Sequence, residues 1–347
     1  MKVIGSKVAF PELYAETWFG WLGVELFFVI SGIVIAYSAA GSTALAFLRS
    51  RLLRLYPVAW ICASLTAITT AALGLETPRH LLREWVASIT LFPLPPWIDD
   101  VYWTLGVEIS FYALVFFLLA FRCFRYTEWF GLLLGGASSA YWVLGTAFAP
   151  KFVHQHIFDR RLELSLVLYG CYFGTGVVTY VISREGRSAT RVLAMILFTA
   201  AGLIEVSDKT DYLNASCAAN EICNGYRSSL LPQLLYIIAL GCIFLSMGVA
   251  RSNRAARLVR LLGLATYPLY LFHSIVGAAI MKAILTQGGS KYAALVSAIL
   301  LCLAGSVLIA NFIEPPIRAL LHRLLFWVGD FPLWGQFARS KYERSRR

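Results

Sequence analysis

The chain has 347 residues, of which 59% are hydrophobic and only 14% charged, and its mean hydropathy is +0.69. That composition excludes an ordinary soluble domain, and it also excludes a disordered chain, which needs low hydrophobicity and high charge. The net charge of +11 comes from arginines and lysines between and after apolar runs, so it describes a collar facing membrane lipid and not a nucleic-acid surface.

Apolar stretches of bilayer-crossing length, about 17 to 25 residues, fall at 18–39, 55–75, 101–121, 128–149, 162–183, 191–206, 230–249, 259–285 and 292–313. Backbone polar groups inside lipid must be satisfied within the segment, so these runs are helices. The expected fold is an all-α, polytopic transmembrane helical bundle of about nine spans. It forms a single integral-membrane domain over 1–347, with 318–347 as a basic cytoplasmic interfacial tail suited to anionic lipid.

The first span carries Glu25 within Trp21-Leu-Gly-Val-Glu-Leu-Phe-Phe-Val-Ile-Ser-Gly32. The mouth of the second holds Arg49, Arg51 and Arg54 in the stretch from Phe47 to Trp60. A guanidinium near hydrocarbon needs phosphate, carboxylate or backbone oxygen to offset its lost hydration, and a phosphate-bearing ligand suits three of them. Residues 76–100 form an outer stretch in which Arg79 to Thr90 read as a short amphipathic helix before a turn at Pro93, Pro95 and Pro96. The third span carries Glu108 and Tyr112 within Trp103-Thr-Leu-Gly-Val-Glu-Ile-Ser-Phe-Tyr112.

Glu25 and Glu108 each lie seven positions in from 18 and 101. At the helical rise both then sit about 10 Å below the outer surface and can share one cavity. Intramembrane carboxylates mark functional sites or hydrogen-bonded packing. Further on, His154-Gln-His156 is a weak metal pattern without a third ligand. Gly135-Gly136 and Gly174-Thr-Gly176 read as close helix contacts. Cys217 and Cys223 lie outside the spans, where an oxidising compartment favours a disulfide. The span at 259–285 holds His273 with Tyr267, Tyr270 and Pro268 nearby, and an imidazole at that depth can hold or pass a proton.

Arg49, Arg51, Arg54, Arg122, Arg125, Arg184, Arg187, Arg191, Arg251, Arg254, Arg257, Arg260 and the arginines from Arg318 onward fall on one side if the N-terminus is outside. By the positive-inside bias that side is the cytoplasm. Residues 1–17 carry no signal-peptide pattern, and an odd number of spans behind an outer start suggests a further span ahead of the first.

These motifs resemble the acyltransferase-3 family of multi-pass membrane O-acyltransferases, which modify bacterial surface polysaccharides and related glycans. The resemblance rests on Gly23 to Gly32, Phe47 to Pro57, Trp103 to Tyr112, Tyr267 to His273 and Glu314-Pro315, in the family's order over roughly 20–318. The family's first span, with an arginine and a histidine regarded as the catalytic base, has no counterpart here. The chain therefore corresponds to the last nine of ten spans, and that histidine's role does not pass to His273.

The resemblance implies an acyltransferase for acyl groups other than aminoacyl groups, in the cell inner membrane. It implies acyl-CoA, acetyl-CoA first, as donor from the cytoplasm, and a glycan or lipid-linked sugar as acceptor on the outer side, with no metal and no nucleic acid. Arg49, Arg51 and Arg54 are the expected donor-binding residues; Glu108, Glu25, His273 and Tyr112 are the expected catalytic set. Two alternatives stand beside it: a non-catalytic truncated member, and a transporter of glycan precursors. Transporters often show related halves with helices broken at matching positions, a pattern the chain lacks.

Overall fold

The computed structural model describes residues 10, 12, 13, 17–219, 227–247 and 253–329, and these form helices joined by turns and short loops, with no strand among them. The helices are α1 (Leu22–Ala39), α2 (Ala44–Ala72), α3 (Pro78–Ile89), α4 (Trp103–Ala120), α5 (Thr127–Phe148), α6 (Pro150–Gln155), α7 (Arg160–Leu164), α8 (Gly170–Glu185), α9 (Ala189–Ala219), α10 (Leu230–Ser246), α11 (Asn253–Thr286), α12 (Lys291–Leu308) and α13 (Glu314–Gly329). A π turn, Ile309–Ile313, joins the last two.

Each expected span meets a helix. Among the described residues six segments are long and apolar enough to cross a membrane: Leu22–Ala39, Ala44–Ala72, Asp100–Ala120, Ala189–Cys217, Leu262–Thr286 and Lys291–Leu325. Burial follows the inverted pattern of a chain in lipid. Ile68, Leu133 and Phe148 are 67%, 71% and 84% exposed, while Glu25 and Thr175 are fully buried; in water such apolar exposure would be unfavourable.

Three expectations need correction. The span placed at 162–183 begins only at Gly170, because Asp159 caps the short α7 by accepting from the Arg161 and Leu162 N–H groups at 2.8 and 3.2 Å. The span placed at 191–206 runs on to Ala219, so residues first read as outer loop are helical. The interfacial tail placed at 318–347 begins as a helix at Glu314 that continues α12 through the π turn, and residues 330–347, including the basic end, lie outside the described residues. The short helix expected from Arg79 to Thr90 is α3, started by extended Thr77 and by Pro78, whose missing N–H costs nothing at a first turn.

The chain divides into two compact units. The first comprises Ala9–Phe47 and Trp103–Arg251. Its centre is α8, buried from Gly170 to Val181. A Cβ on Gly176 would lie 2.2 Å from the Val29 carbonyl oxygen of α1, and one on Gly174 would lie 2.7 Å from the Gly135 Cα of α5. The backbones touch there because only glycine fits; Gly136 has open space instead. Phe173 fills the layer above, 4.9 Å from Phe28 and 4.4 Å from Phe111 between ring centres. One end of this unit is pinned by Arg191, which donates to both oxygens of Glu128 at 2.9 and 2.8 Å and to Glu185 at 2.5 Å.

Among the described residues the second unit comprises Leu48–Tyr102 and 253–329. Here Trp60 donates to the Ile89 carbonyl at 2.9 Å, Tyr102 to that of Ala59 at 3.3 Å, and Tyr267 to that of Leu55 at 3.2 Å. Proline interrupts both long helices, at Pro57 in α2 and Pro268 in α11, and each frees a carbonyl one turn back. The tyrosine bonds to Leu55 and Ala59 bracket the first of these breaks.

Candidate functional site

In the first unit two buried carboxylates have separate partners. Glu108, 5% exposed, accepts from Ser31 Oγ at 2.9 Å and from the Tyr112 hydroxyl, both on Oε1. Tyr112 reaches it because residues four apart share a helix face, and the Phe47 ring packs edge-on against the tyrosine, 6.3 Å between centres. Such an arrangement fixes a carboxylate and a phenol as one hydrogen-bonded group.

Glu25 is fully buried and binds the Lys209 ammonium. Lys209 also lies 3.6 Å from Glu205 Oε1, and Glu205 Oε2 accepts from the Tyr172 hydroxyl at 2.7 Å. The ammonium sits 4.7 Å from the centre of the Trp21 ring, so an aromatic face and two carboxylates surround it in place of water. Lys209 escaped the sequence reading because it was placed beyond the end of the span at 191–206, and Glu205 because it fell at that span's last turn. Their Glu-to-Lys spacing of four was the signal that a helix continued.

Glu25 and Glu108, expected to share one cavity, have different hydrogen-bond partners. Glu108 bonds at the level of Ser31, six positions beyond Glu25 on α1, about 9 Å along the axis by the helical rise. Equal counting from the span edges misled because α1 starts at Leu22 and α4 at Trp103, so the two carboxylates lie at different distances from their helix starts.

A guanidinium joins this unit's polar groups. Arg160 Nη1 donates to Glu163 at 2.7 Å, and its Nη2 lies where a Cβ on Gly106 would be, 2.2 Å away. Gly106 thus admits the arginine against α4, two positions before Glu108.

In the second unit Arg49, Arg51 and Arg54 are half-buried on α2. Arg51 donates to Ser50 Oγ at 2.9 Å. Arg54 lies over the Tyr267 ring, 5.4 Å from its centre, and its Nη1 is buried without a hydrogen-bond partner. Glu314 lies 3.9 Å from Arg318 and within the field of Arg54.

His273 belongs to this unit, not to that of Glu25 and Glu108. Its Nδ1 lies 3.1 Å from the Leu269 carbonyl and 3.0 Å from that of Tyr270. Carbonyls only accept, so the assigned tautomer carries its proton on Nδ1 and its lone pair on Nε2, on an exposed side chain. Asp99 is a further residue the sequence reading missed. It is 5% exposed, accepts from the Val101 N–H at 3.3 Å, and its Oδ2 has no hydrogen-bond partner. Burial raises its pKa above the usual carboxyl value, while the Val101 N–H pulls it down. Its only signal in sequence was the Asp-Asp pair after the proline turn.

The His154-Gln-His156 pattern does not converge. His154 Nδ1 lies 3.3 Å from Asp208 Oδ1, whereas His156 Nδ1 faces its own helix carbonyl at Phe152, 2.8 Å away. Among the described residues one set, Glu76, His80 and Glu84, places three metal-capable atoms within 4.8 Å of one another, as side chains at successive turns around a half-exposed imidazole. Cys217 is disulfide-bonded; Cys223, its expected partner, lies outside the described residues.

Comparison with known proteins adds family to geometry. The pattern of the acyltransferase-3 family, described as an acyltransferase domain, matches residues 6–311. The exopolysaccharide production protein ExoZ of Rhizobium meliloti (strain 1021) is 26% identical over 297 residues, which covers 81% of this chain and 84% of the relative. No solved structure matches the chain significantly.

Proposed function

Because this chain belongs to the acyltransferase-3 family and is a multi-pass membrane acyltransferase, we propose that it moves an acyl group, acetyl first, from acyl-CoA to a hydroxyl of a surface polysaccharide or lipid-linked sugar in the cell inner membrane. The similarity to a protein named for exopolysaccharide production supports the acceptor class. The observation that carries the donor is Arg54, whose buried Nη1 has no hydrogen-bond partner. A donor phosphate accepts a charge-assisted bond from that nitrogen, and Arg49 and Arg51 on the same helix add to the positive field.

The second unit supports a direction for the chemistry. Tyr267, beneath Arg54, and His273 are six positions apart on α11, about 9 Å by the helical rise. A donor held by its phosphates at Arg54 therefore points its thioester further along α11. The family's first-span histidine has no counterpart here, but His273 carries its lone pair on Nε2 of an exposed side chain; that nitrogen takes the proton of the acceptor hydroxyl as its oxygen attacks the thioester carbon, and the thiolate of coenzyme A leaves with that proton. The Leu269 and Tyr270 carbonyls hold Nδ1–H, and the charge of ionised Asp99 favours the imidazolium formed in between. Glu108 and the Tyr112 hydroxyl relay a proton within the first unit, where Glu25 holds the Lys209 ammonium.

The test is transfer of radiolabelled acetyl from acetyl-CoA to polysaccharide by the purified chain in lipid nanodiscs. His273→Ala abolishing transfer while coenzyme A binding persists agrees with the reading. A wild-type protein that neither binds nor cleaves acetyl-CoA overturns it. The orientation is checked with single cysteines at Arg79 and Arg187, of which only the first should react with an impermeant thiol reagent in spheroplasts.

A further inference from the structure

The end of α5, the second half of α9 and the start of α10, all in the first unit, line an open cavity of about 330 Å³. Ligand pockets begin at about 300 Å³, so this one has room for a single sugar ring. Its wall includes Thr146, Leu203, Ser207, Asp208, Asp211 and Gln233. Two of the polar groups are unmatched: Thr146 Oγ1 and Asp208 Oδ2 are buried and have no hydrogen-bond partner. Native proteins rarely leave such atoms unsatisfied, and two on one cavity indicate a ligand or ordered water that supplies the missing bonds.

The neighbouring contacts show a wall built to hold these groups in place. His154 Nδ1 meets the other oxygen of Asp208 at 3.3 Å, and Tyr212 packs 5.7 Å from the His154 ring and 5.0 Å from Phe158. Gln233 donates its Nε2 to the Leu203 carbonyl at 3.0 Å, which leaves its Oε1 as an acceptor. Ser207 Oγ lies 3.3 Å from Ser229 Oγ.

The chemistry of the wall selects its ligand. Among the described residues two carboxylates and no lysine or arginine line the space, which disfavours an anion. The carboxylate and amide oxygens accept from hydroxyl groups, the threonine can donate or accept, and Leu203 with Ile204 offers an apolar surface to C–H groups. An uncharged pyranose has this mixture: neighbouring O–H donors around its edge and an apolar ring face. We propose that the cavity is a subsite for an uncharged pyranose of the acceptor glycan. The assignment rests on the transfer reaction proposed above and gives the acceptor a place in the first unit.

The experiment is saturation-transfer NMR on the full chain in nanodiscs with methyl β-D-glucopyranoside, methyl β-D-galactopyranoside and sodium D-glucuronate. At least one neutral glycoside should receive saturation, and the glucuronate should neither receive it nor compete. Asp208→Asn keeps the shape of the side chain and Thr146→Phe fills the space. Each should weaken the neutral glycoside about fivefold, the effect of one hydrogen bond of about 1 kcal/mol. Wild-type protein that binds neither glycoside, or wild-type affinity in both variants, overturns the subsite and leaves water as the occupant. Coenzyme A binding confirms that the variants are folded. Loss of the sugar result with acetyl transfer intact defeats this assignment alone; loss of transfer with sugar binding intact defeats the reaction and not the subsite.

Discussion

The Lys209 ammonium binds the Glu25 carboxylate across 184 positions of sequence, with both side chains out of water. Ions so placed are held by each other and by Glu205, Tyr172 and Trp21. Removing one partner strands a buried charge, at a cost of about 3–5 kcal/mol. Lys209→Met should therefore lower the unfolding temperature in detergent far more than an exposed substitution does. Combining it with Glu25→Gln should recover part of the loss; a double variant no better than the single one refutes the pairing.

Glu108→Gln should leave the fold intact, because the amide oxygen can still accept from Ser31 and Tyr112 as the carboxylate does. It removes the charge. We expect acetyl transfer to fall by about a hundredfold or more, the scale of a lost proton-handling group, with protein yield and unfolding temperature near wild type. Activity within a fewfold of wild type assigns Glu108 to packing.

Arg54→Ala should weaken coenzyme A about tenfold to a hundredfold, the value of one or two charged hydrogen bonds, as read by titration calorimetry. Lysine at 54 should restore only part, since it keeps the charge and loses the flat fork over Tyr267. Equal affinity in all three proteins places Arg54 among lipid anchors.

Asp99 predicts how stability changes with pH. Its folded pKa is raised by burial, so the unfolded chain releases the proton first as pH rises. The folded state loses stability from about pH 4 upward until Asp99 itself ionises, and the penalty is constant above that. Asp99→Asn has no proton to lose, so its unfolding temperature should fall less than that of wild type between about pH 4 and pH 7. Parallel curves for the two proteins contradict the shift.

Gly176→Ala tests the contact of α8 with α1. The new Cβ would meet the Val29 carbonyl oxygen at 2.2 Å, and a backbone atom cannot turn aside, so the helices must part at a cost of about 1–3 kcal/mol. Gly136→Ala meets nothing within 4 Å and should be neutral or stabilising by up to about 1 kcal/mol from helix propensity. Thermal unfolding of the two variants side by side decides it.

The spans were legible because a run of apolar residues long enough for a bilayer has few other uses. The extension of α9 was less so. Its polar end, Ser207-Asp-Lys-Thr-Asp211, looks like loop when hydropathy marks the boundary, yet the helix continues because Lys209 and Glu205 find buried partners there. Asp99 was passed over because nothing local distinguishes a buried aspartate after a proline turn from a solvated one.

Alone, the sequence determined that the chain is helical and membrane-spanning, that carboxylates, arginines and a histidine lie in or at the edge of its spans, and which family its motifs resemble. Only the tertiary structure decided which of those groups meet. It separated Glu25 from Glu108, gave Glu108 to Ser31 and Tyr112, placed Arg54 over Tyr267 and turned the lone pair of His273 outward. Those outcomes depend on the rotation and axial offset of each helix. A helix apolar on nearly every face carries little periodic signal for either, and both are fixed instead by glycine contacts and buried hydrogen bonds between distant segments.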